Sequence, residues 1–172
     1  KYLDANIGNC KYSDMAVFSF HPVKSITTGE GGAVLTNNED FYKKLVMFRH
    51  HGVTKDENSF QNKEGSLGQW YYEMQHLGYN YRLTDIHCAL GISQLRKLDG
   101  FIQRRREIVE TYTQAFENNT FFDVPVEKSY VKSSWHLYPI RLKDEYKAKK
   151  AEIFAKLRKS GLGVQVHYIP VY

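Results

Sequence analysis

Between Ser19 and Gly32 the chain reads Ser-Phe-His-Pro-Val-Lys-Ser-Ile-Thr-Thr-Gly-Glu-Gly-Gly, and Lys24 is the one charged side chain from Met15 to Gly29 with histidine counted as neutral. An ammonium held among apolar and small side chains loses hydration. That favours its neutral form, and a neutral amine attacks carbonyl carbon. Lys24 is therefore the first candidate for chemistry. Ser19, on the same run, has a hydroxyl able to donate to a phosphate at a strand end. Gly29, Gly31 and Gly32 permit positive φ and close backbone approach, and Pro22 stiffens the entry to the turn. On spacing alone, the competing reading is a surface loop whose lysine is merely solvated.

The elements that must position this lysine are short. Ala16-Val17-Phe18 and Ala33-Val34-Leu35 read as buried strands with Lys24 in the turn between them. Asn38 caps a helix with Glu39 and Asp40 in its first turn, an apolar stripe of Phe41, Leu45 and Phe48, and a stop at Gly52. Val53 to Gln75 is polar and reads as a long loop, either a subunit-contact or substrate-covering segment or plain disorder. Thr84 caps a second helix, in which Ala89 and Gly91 permit close packing while Ile86, Leu90 and Leu95 form the apolar face.

A break at Asp99-Gly100 precedes a long helix from about Phe101 to Glu117, with Phe101, Ile108, Tyr112 and Phe116 on one face. Beyond Asn118-Asn119 the pattern is a strand from Trp135 to Leu142, a helix from Ala148 to Lys159 ending at Gly161, and a strand from Leu162 to Tyr168. Pro139 marks the first of these strands as an edge or a bulge. In the last, two-residue alternation sets Val164, Val166 and Tyr168 on one face and Gln165 with His167 on the other. That polar face can line a cleft, although a histidine satisfied by backbone is the competing reading. The chain thus divides into residues 1–98 and a second part, 99–172.

Composition narrows the partners. The 172 residues hold 24 basic and 19 acidic side chains, a net charge of +5, which suits an anionic ligand. The basic residues are scattered and no zinc-finger or RNA-binding signature is present, so nucleic acid is not the expected partner. Arg104-Arg105-Arg106 is the one dense run, expected as a solvated helix face or subunit contact. Two cysteines, Cys10 and Cys88, are too few for a disulfide scaffold and fit a reducing cytoplasm. The seven histidines are scattered, and adjacent His50 and His51 do not readily face one metal. No apolar stretch has the length of a membrane span, and no signal peptide is visible.

The run Ser19 to Lys24, followed by Gly29-Glu30-Gly31-Gly32-Ala33-Val34, resembles the segment around the Schiff-base lysine of pyridoxal-phosphate-dependent sugar aminotransferases of the DegT/DnrJ type. The likeness continues through Phe48 to Gly52, Leu77 to Ile86, Ala89-Leu90-Gly91 with Gln94-Leu95, Trp135 to Tyr138, and Gln165 to Tyr168, in the family's order. The resemblance implies an α/β fold of the fold-type-I transferase class, comprising the C-terminal part of the large domain (1–98) and a linker helix with most of a small α/β domain (99–172). Trp70-Tyr71-Tyr72-Glu73 and Val166-His167-Tyr168-Ile169-Pro170 are most similar to enzymes that aminate C4 of a UDP-linked 4-keto-6-deoxy-N-acetyl sugar on the route to pseudaminic acid. Perosamine, viosamine and aminoarabinose transaminases share most of these blocks and remain alternatives, as does an inactive fragment or binding module of the same fold.

By the same resemblance, Lys24 binds pyridoxal phosphate covalently and then moves protons as general acid/base, with glutamate as amino donor. Ser19 and Asn80 anchor the cofactor phosphate, Asn80 from the neighbouring subunit of a homodimer. Arg82 is either an anion contact or a surface ion pair. Gln165, Val166, His167 and Tyr168 approach the sugar nucleotide. Lysine at position 24 argues against the family's dehydrase branch, where the residue resembles histidine. The first block, Lys1 to Tyr12, resembles the middle of the family's large domain, so the expectation is a fragment of a longer polypeptide, inactive alone.

Overall fold

The computed structural model describes residues 1–62 and 68–170. Its chain separates into two compact units, Lys1–Leu98 and Asp99–Tyr172.

The first unit is built on an antiparallel hairpin of β1 (Met15–Ser19) and β2 (Gly32–Thr36), in register Met15 to Thr36 and Ser19 to Gly32. The strands fall where the apolar runs predict them, but they are not buried. Val17, Val34 and Leu35 are exposed, as in a two-stranded sheet that the described residues cover only in part. Helix α1 (Glu39–Arg49) follows, with Asn38 Oδ1 accepting the Phe41 N–H at 3.0 Å and Glu39 and Asp40 at the positive end of the helix dipole.

Gly52 ends this region for a steric reason. Its φ is +67°, and a Cβ there would overlap the His76 carbonyl. A Cβ on Gly78 would in turn overlap the Gly52 backbone. Two chain segments therefore touch backbone to backbone, and residues 75–81 form a strap across the C-terminus of α1. The strap is held by Gln75 N–H to Gly52 O (2.7 Å), Tyr79 N–H to Phe48 O (2.7 Å), His51 N–H to Tyr79 O (2.9 Å) and Tyr81 N–H to Arg49 O (3.0 Å).

The expected long loop is partly ordered by a ladder. Strand β3 (Val53–Thr54) pairs antiparallel with β4 (Glu73–Met74), and a short 3-10 turn spans Glu57–Ser59. Inside it, the Glu73 carboxylate accepts the N–H groups of Gln61 and Asn62, which with the Gln75 amide hold its pKa below the usual carboxylate range. Residues 63–67 of that segment lie outside the described residues. Helix α2 (Asp85–Leu95) begins at the Thr84 cap. Its expected apolar face is uncovered in this chain: Ile86 is 81% exposed, and Leu90 and Leu95 are exposed as well.

The second unit corrects several expectations. Helix α3 (Leu98–Phe116) runs straight through Asp99 and Gly100. The interruption lies earlier, at Arg96 and Lys97, where N–H groups still close turns onto Ile92 and Gln94. Of the expected strand from Trp135 to Leu142, only β6 (Arg141–Leu142) forms, paired with β5 (Phe122–Asp123). Trp135 has φ +49°, outside the extended region, its carbonyl and that of His136 accept instead from the Arg105 guanidinium at 3.3 Å, and Pro139 has no N–H to donate.

The arginine run is accordingly not a solvated face. Arg105 clamps that segment, and Arg106 makes a bidentate pair with Glu127 at 2.8 and 3.1 Å while also donating to Ser133 O. Arg104 alone of the three stays on the surface, paired with Glu107 one turn on. Helices α4 (Asp144–Lys147) and α5 (Lys150–Lys159) follow. Gly161, at φ +84°, ends α5 with its N–H on Arg158 O and the Leu162 N–H on Leu157 O, the reciprocal pair that caps a helix through a left-handed glycine.

The expected strand from Leu162 to Tyr168 is absent: residues 162–170 are irregular and mostly exposed. Alternation gives a strand two faces but supplies no neighbour, and no described segment pairs with it.

Candidate functional site

Lys24 lies in the excursion between β1 and β2, and local hydrogen bonds fix its place. Its N–H closes a turn onto His21 O at 2.9 Å. Pro22, with φ preset by its ring, is the second residue of that four-residue turn. Further along, Phe20 N–H to Gly31 O (2.8 Å) and Thr28 N–H to Phe20 O (3.0 Å) zip the base of the excursion. Thr27 Oγ1 donates to Phe20 O and accepts the Gly29 N–H, both at 2.9 Å. Thr28 is the most buried polar residue described, 2% exposed, with its hydroxyl on Glu30 O at 2.6 Å.

This excursion rests on the start and middle of α2. A Cβ on Gly91 would crowd Thr28 Cγ2 at 2.9 Å, and one on Gly31 (φ +149°) would crowd Leu83 Cδ1 at 2.8 Å. The small residue expected at position 91 therefore permits a close approach to the lysine-bearing loop.

Lys24 itself is half-buried. Among the described residues no carboxylate pairs with its ammonium, so its charge is not locked into a structural ion pair. Ser19 closes β1, and its Oγ takes only a long 3.4 Å contact from the His21 N–H, which leaves the hydroxyl proton available to an anion. An amine free of carboxylates with a serine hydroxyl on the same hairpin is a donor set that fits an aldehyde-bearing phosphate.

Asn80 is on the strap across α1, in an isolated antiparallel bridge with His50. Its backbone is fixed and its side chain is exposed. Among the described residues Arg82, two residues on, makes no ion pair; its Nη1 donates to His50 Nδ1 at 2.6 Å. Of the two alternatives for Arg82, the surface ion pair does not form among the described residues. His50, read in the sequence only as half of a histidine pair and as one residue of the Phe48 to Gly52 block, is the site residue missed, and its place just before the Gly52 stop is the signal that sets it beside the strap.

Gln165, Val166, His167 and Tyr168 lie in the second unit, all exposed and outside any strand. The rings of His167 and Tyr168 sit 4.1 Å apart, so two of the four pack on each other. The expected separation of Gln165 with His167 from Val166 with Tyr168 on opposite sheet faces does not form, since no strand among the described residues pairs with this segment.

The profile of the DegT/DnrJ/EryC1/StrS aminotransferase family matches residues 1–172, and the chain belongs to that family. It is 48% identical, over 94% of its length, to a UDP-4-amino-4,6-dideoxy-N-acetyl-beta-L-altrosamine transaminase of Campylobacter jejuni, and spans 40% of that protein. Among solved structures it superposes on Helicobacter pylori PseC, an aminotransferase involved in the biosynthesis of pseudoaminic acid, with a TM-score of 0.86, 37% identity, and coverage of 100% of this chain and 43% of that one. The PLP form of the putative sugar aminotransferase Spr1654 from Streptococcus pneumoniae gives 0.82 at 29% identity, covering 99% of this chain and 41% of that one. The chain therefore spans about two fifths of the length of the relatives it matches.

Proposed function

We propose that this chain is the lysine-bearing part of a pyridoxal-phosphate-dependent transaminase that moves an amino group from glutamate to C4 of a UDP-linked 4-keto-6-deoxy-N-acetyl-hexose, the amination step toward pseudaminic acid. The observation that carries the reading is 48% identity to a transaminase of that reaction, with Lys24 on a hydrogen-bonded turn free of carboxylate partners.

Pyridoxal phosphate, when bound, supplies an electron sink for carbanion chemistry. The chain's own residues do the rest. Lys24 would hold the cofactor at its carbonyl carbon, and its amine, when not so engaged, would take up and give back the protons of the amino-group transfer. The Ser19 hydroxyl would donate to a cofactor phosphate oxygen. Asn80 donates its amide to the same phosphate from a second copy of the chain. Gln165, Val166, His167 and Tyr168 contact the sugar nucleotide and take a defined arrangement when it binds.

Residues 1–98 act as the cofactor-binding part and 99–172 as the linker helix and small domain. The second copy is supported by a run of exposed aromatic and aliphatic side chains, Trp70, Tyr72, Leu77, Tyr79, Tyr81 and Ile86, on the segment that carries Asn80. We place the enzyme in the cytoplasm, a reducing compartment that suits its unpaired Cys10 and Cys88. The chain covers about two fifths of the relatives' length, and the activity proposed is that of the full polypeptide carrying these residues.

The test is a panel of UDP- and dTDP-linked 4-ketosugars with glutamate and the full polypeptide that carries these residues. The reading expects amination of the UDP-N-acetyl substrate at C4. Activity on a dTDP substrate alone overturns the sugar assignment, and absence of amino-sugar product from every substrate overturns the transaminase.

A further inference from the structure

Arginine has donors and no acceptor, so its 2.6 Å contact with His50 requires Nδ1 to be the unprotonated nitrogen, and the ring hydrogen of the neutral imidazole sits on Nε2. The partners are held from both sides. His50 follows the last residue of α1 and bridges Asn80, while Tyr81 N–H binds Arg49 O. Tyr79 and Tyr81 stack with centroids 4.8 Å apart and planes at 12°, which puts them on one face of the strap. In extended chain the alternate residues, Asn80 and Arg82, belong to the opposite face.

The charges around His50 are all of one sign. Arg82 faces it from the strap, His51 and Arg49 from its own segment, and Lys55 from the chain after β3. Among the described residues no carboxylate pairs with Arg49, Lys55 or Arg82. A group of unneutralised cations beside a free side-chain amide is the chemistry that receives phosphate.

From this geometry we infer that His50, as neutral imidazole, is a positioning residue that orients the Arg82 guanidinium so that Arg82 and Asn80 offer their remaining donors to a phosphate-bearing ligand. The inference rests on the functional reading above only for which phosphate is meant: that of the cofactor or the diphosphate of the sugar nucleotide. Protonated His50 has donors alone to set against Arg82, and the contact is lost. Desolvation of the ring and, after it, the Arg82 charge hold the His50 pKa below its ordinary 6.5, so the contact persists through neutral pH and opens on acidification.

Two substitutions separate positioning from mere structure. His50→Asn keeps an acceptor at the place of Nδ1 and cannot titrate; His50→Leu removes the acceptor. The probe is UDP-N-acetylglucosamine, which has no keto group to react and whose diphosphate does not titrate between pH 5.5 and 8. With the full polypeptide, we expect wild-type affinity to fall about fivefold to tenfold from pH 8 to 5.5, the scale of one charged hydrogen bond in partial solvent. His50→Asn should flatten that dependence while keeping the pH 8 affinity, and His50→Leu should bind at the weaker level throughout.

A parallel titration with pyridoxal phosphate, comparing wild type and His50→Asn at each pH so that the cofactor's own ionisation cancels, tells which phosphate is held. A pH-dependent difference in either ligand supports the proposal and names its source. If His50→Leu binds both ligands as wild type does at pH 8, or if nitrogen NMR finds the His50 proton on Nδ1, the proposal is overturned. Failure of the transaminase reading is distinct: no visible cofactor band forms, while the His50 tautomer and the pH-dependent binding of the nucleotide sugar are unchanged.

Discussion

Replacing Gly52 with alanine tests whether the backbone contact between the end of α1 and the strap is what places Asn80 and Arg82. Alanine at φ +67° costs about 1–2 kcal/mol for the left-handed conformation alone. Its Cβ also overlaps the His76 carbonyl, so the strap must retreat, and the hydrogen bonds from Gln75 and His76 N–H to Gly52 O go with it. At about 1 kcal/mol each these bring the total to roughly 3–4 kcal/mol, a large share of the stability of an ordinary domain. Urea unfolding of the full polypeptide measures the loss. Gly100→Ala is the internal control, since Gly100 lies inside α3 with open space about its Cα, and the change should stabilise by about 0.5–1 kcal/mol. Equal midpoints for wild type and Gly52→Ala would refute the reasoning, as would a Gly100→Ala protein that loses as much as Gly52→Ala.

In the second unit, Arg106→Leu leaves the Glu127 carboxylate, 27% exposed, without its bidentate partner and should cost about 1–2 kcal/mol after allowance for partial solvent screening, read as a lower urea midpoint. The Arg106 hydrogen bonds hold the Glu127 pKa below its ordinary 4.5. Its contribution to stability is therefore complete above that value and is lost as pH falls through the lower folded value. Glu127→Gln should remove this part of the acid sensitivity, and an unchanged midpoint-versus-pH curve below pH 5 would count against the pairing.

Features set by a few neighbouring residues were legible in the sequence. Asn38, Thr84 and Gly161 act through their own side chains or φ angles within one turn of a helix end, so their residue types announce them. The turn that carries Lys24 is equally local, with Pro22 fixing φ two residues before it. What escaped depends on distant partners. Arg105 and Arg106 look like surface charge until the carbonyls of Trp135 and His136 and the Glu127 carboxylate come to meet them. Leu162 to Tyr168 alternates as a strand should, yet a strand is made by its neighbour, and none is present among the described residues. His50 and Arg82 are far apart in the chain and meet only because Gly52 and Gly78 let two backbones touch.

The central claim is that the Lys24 amine is the group that bonds pyridoxal phosphate. Incubating the full polypeptide with the cofactor, reducing with borohydride and mapping the modified peptide by mass spectrometry tests it directly. The account predicts one pyridoxyl group, on Lys24, and none after Lys24→Ala. A modification on another lysine in the wild type, or one that survives Lys24→Ala in equal yield, would contradict it.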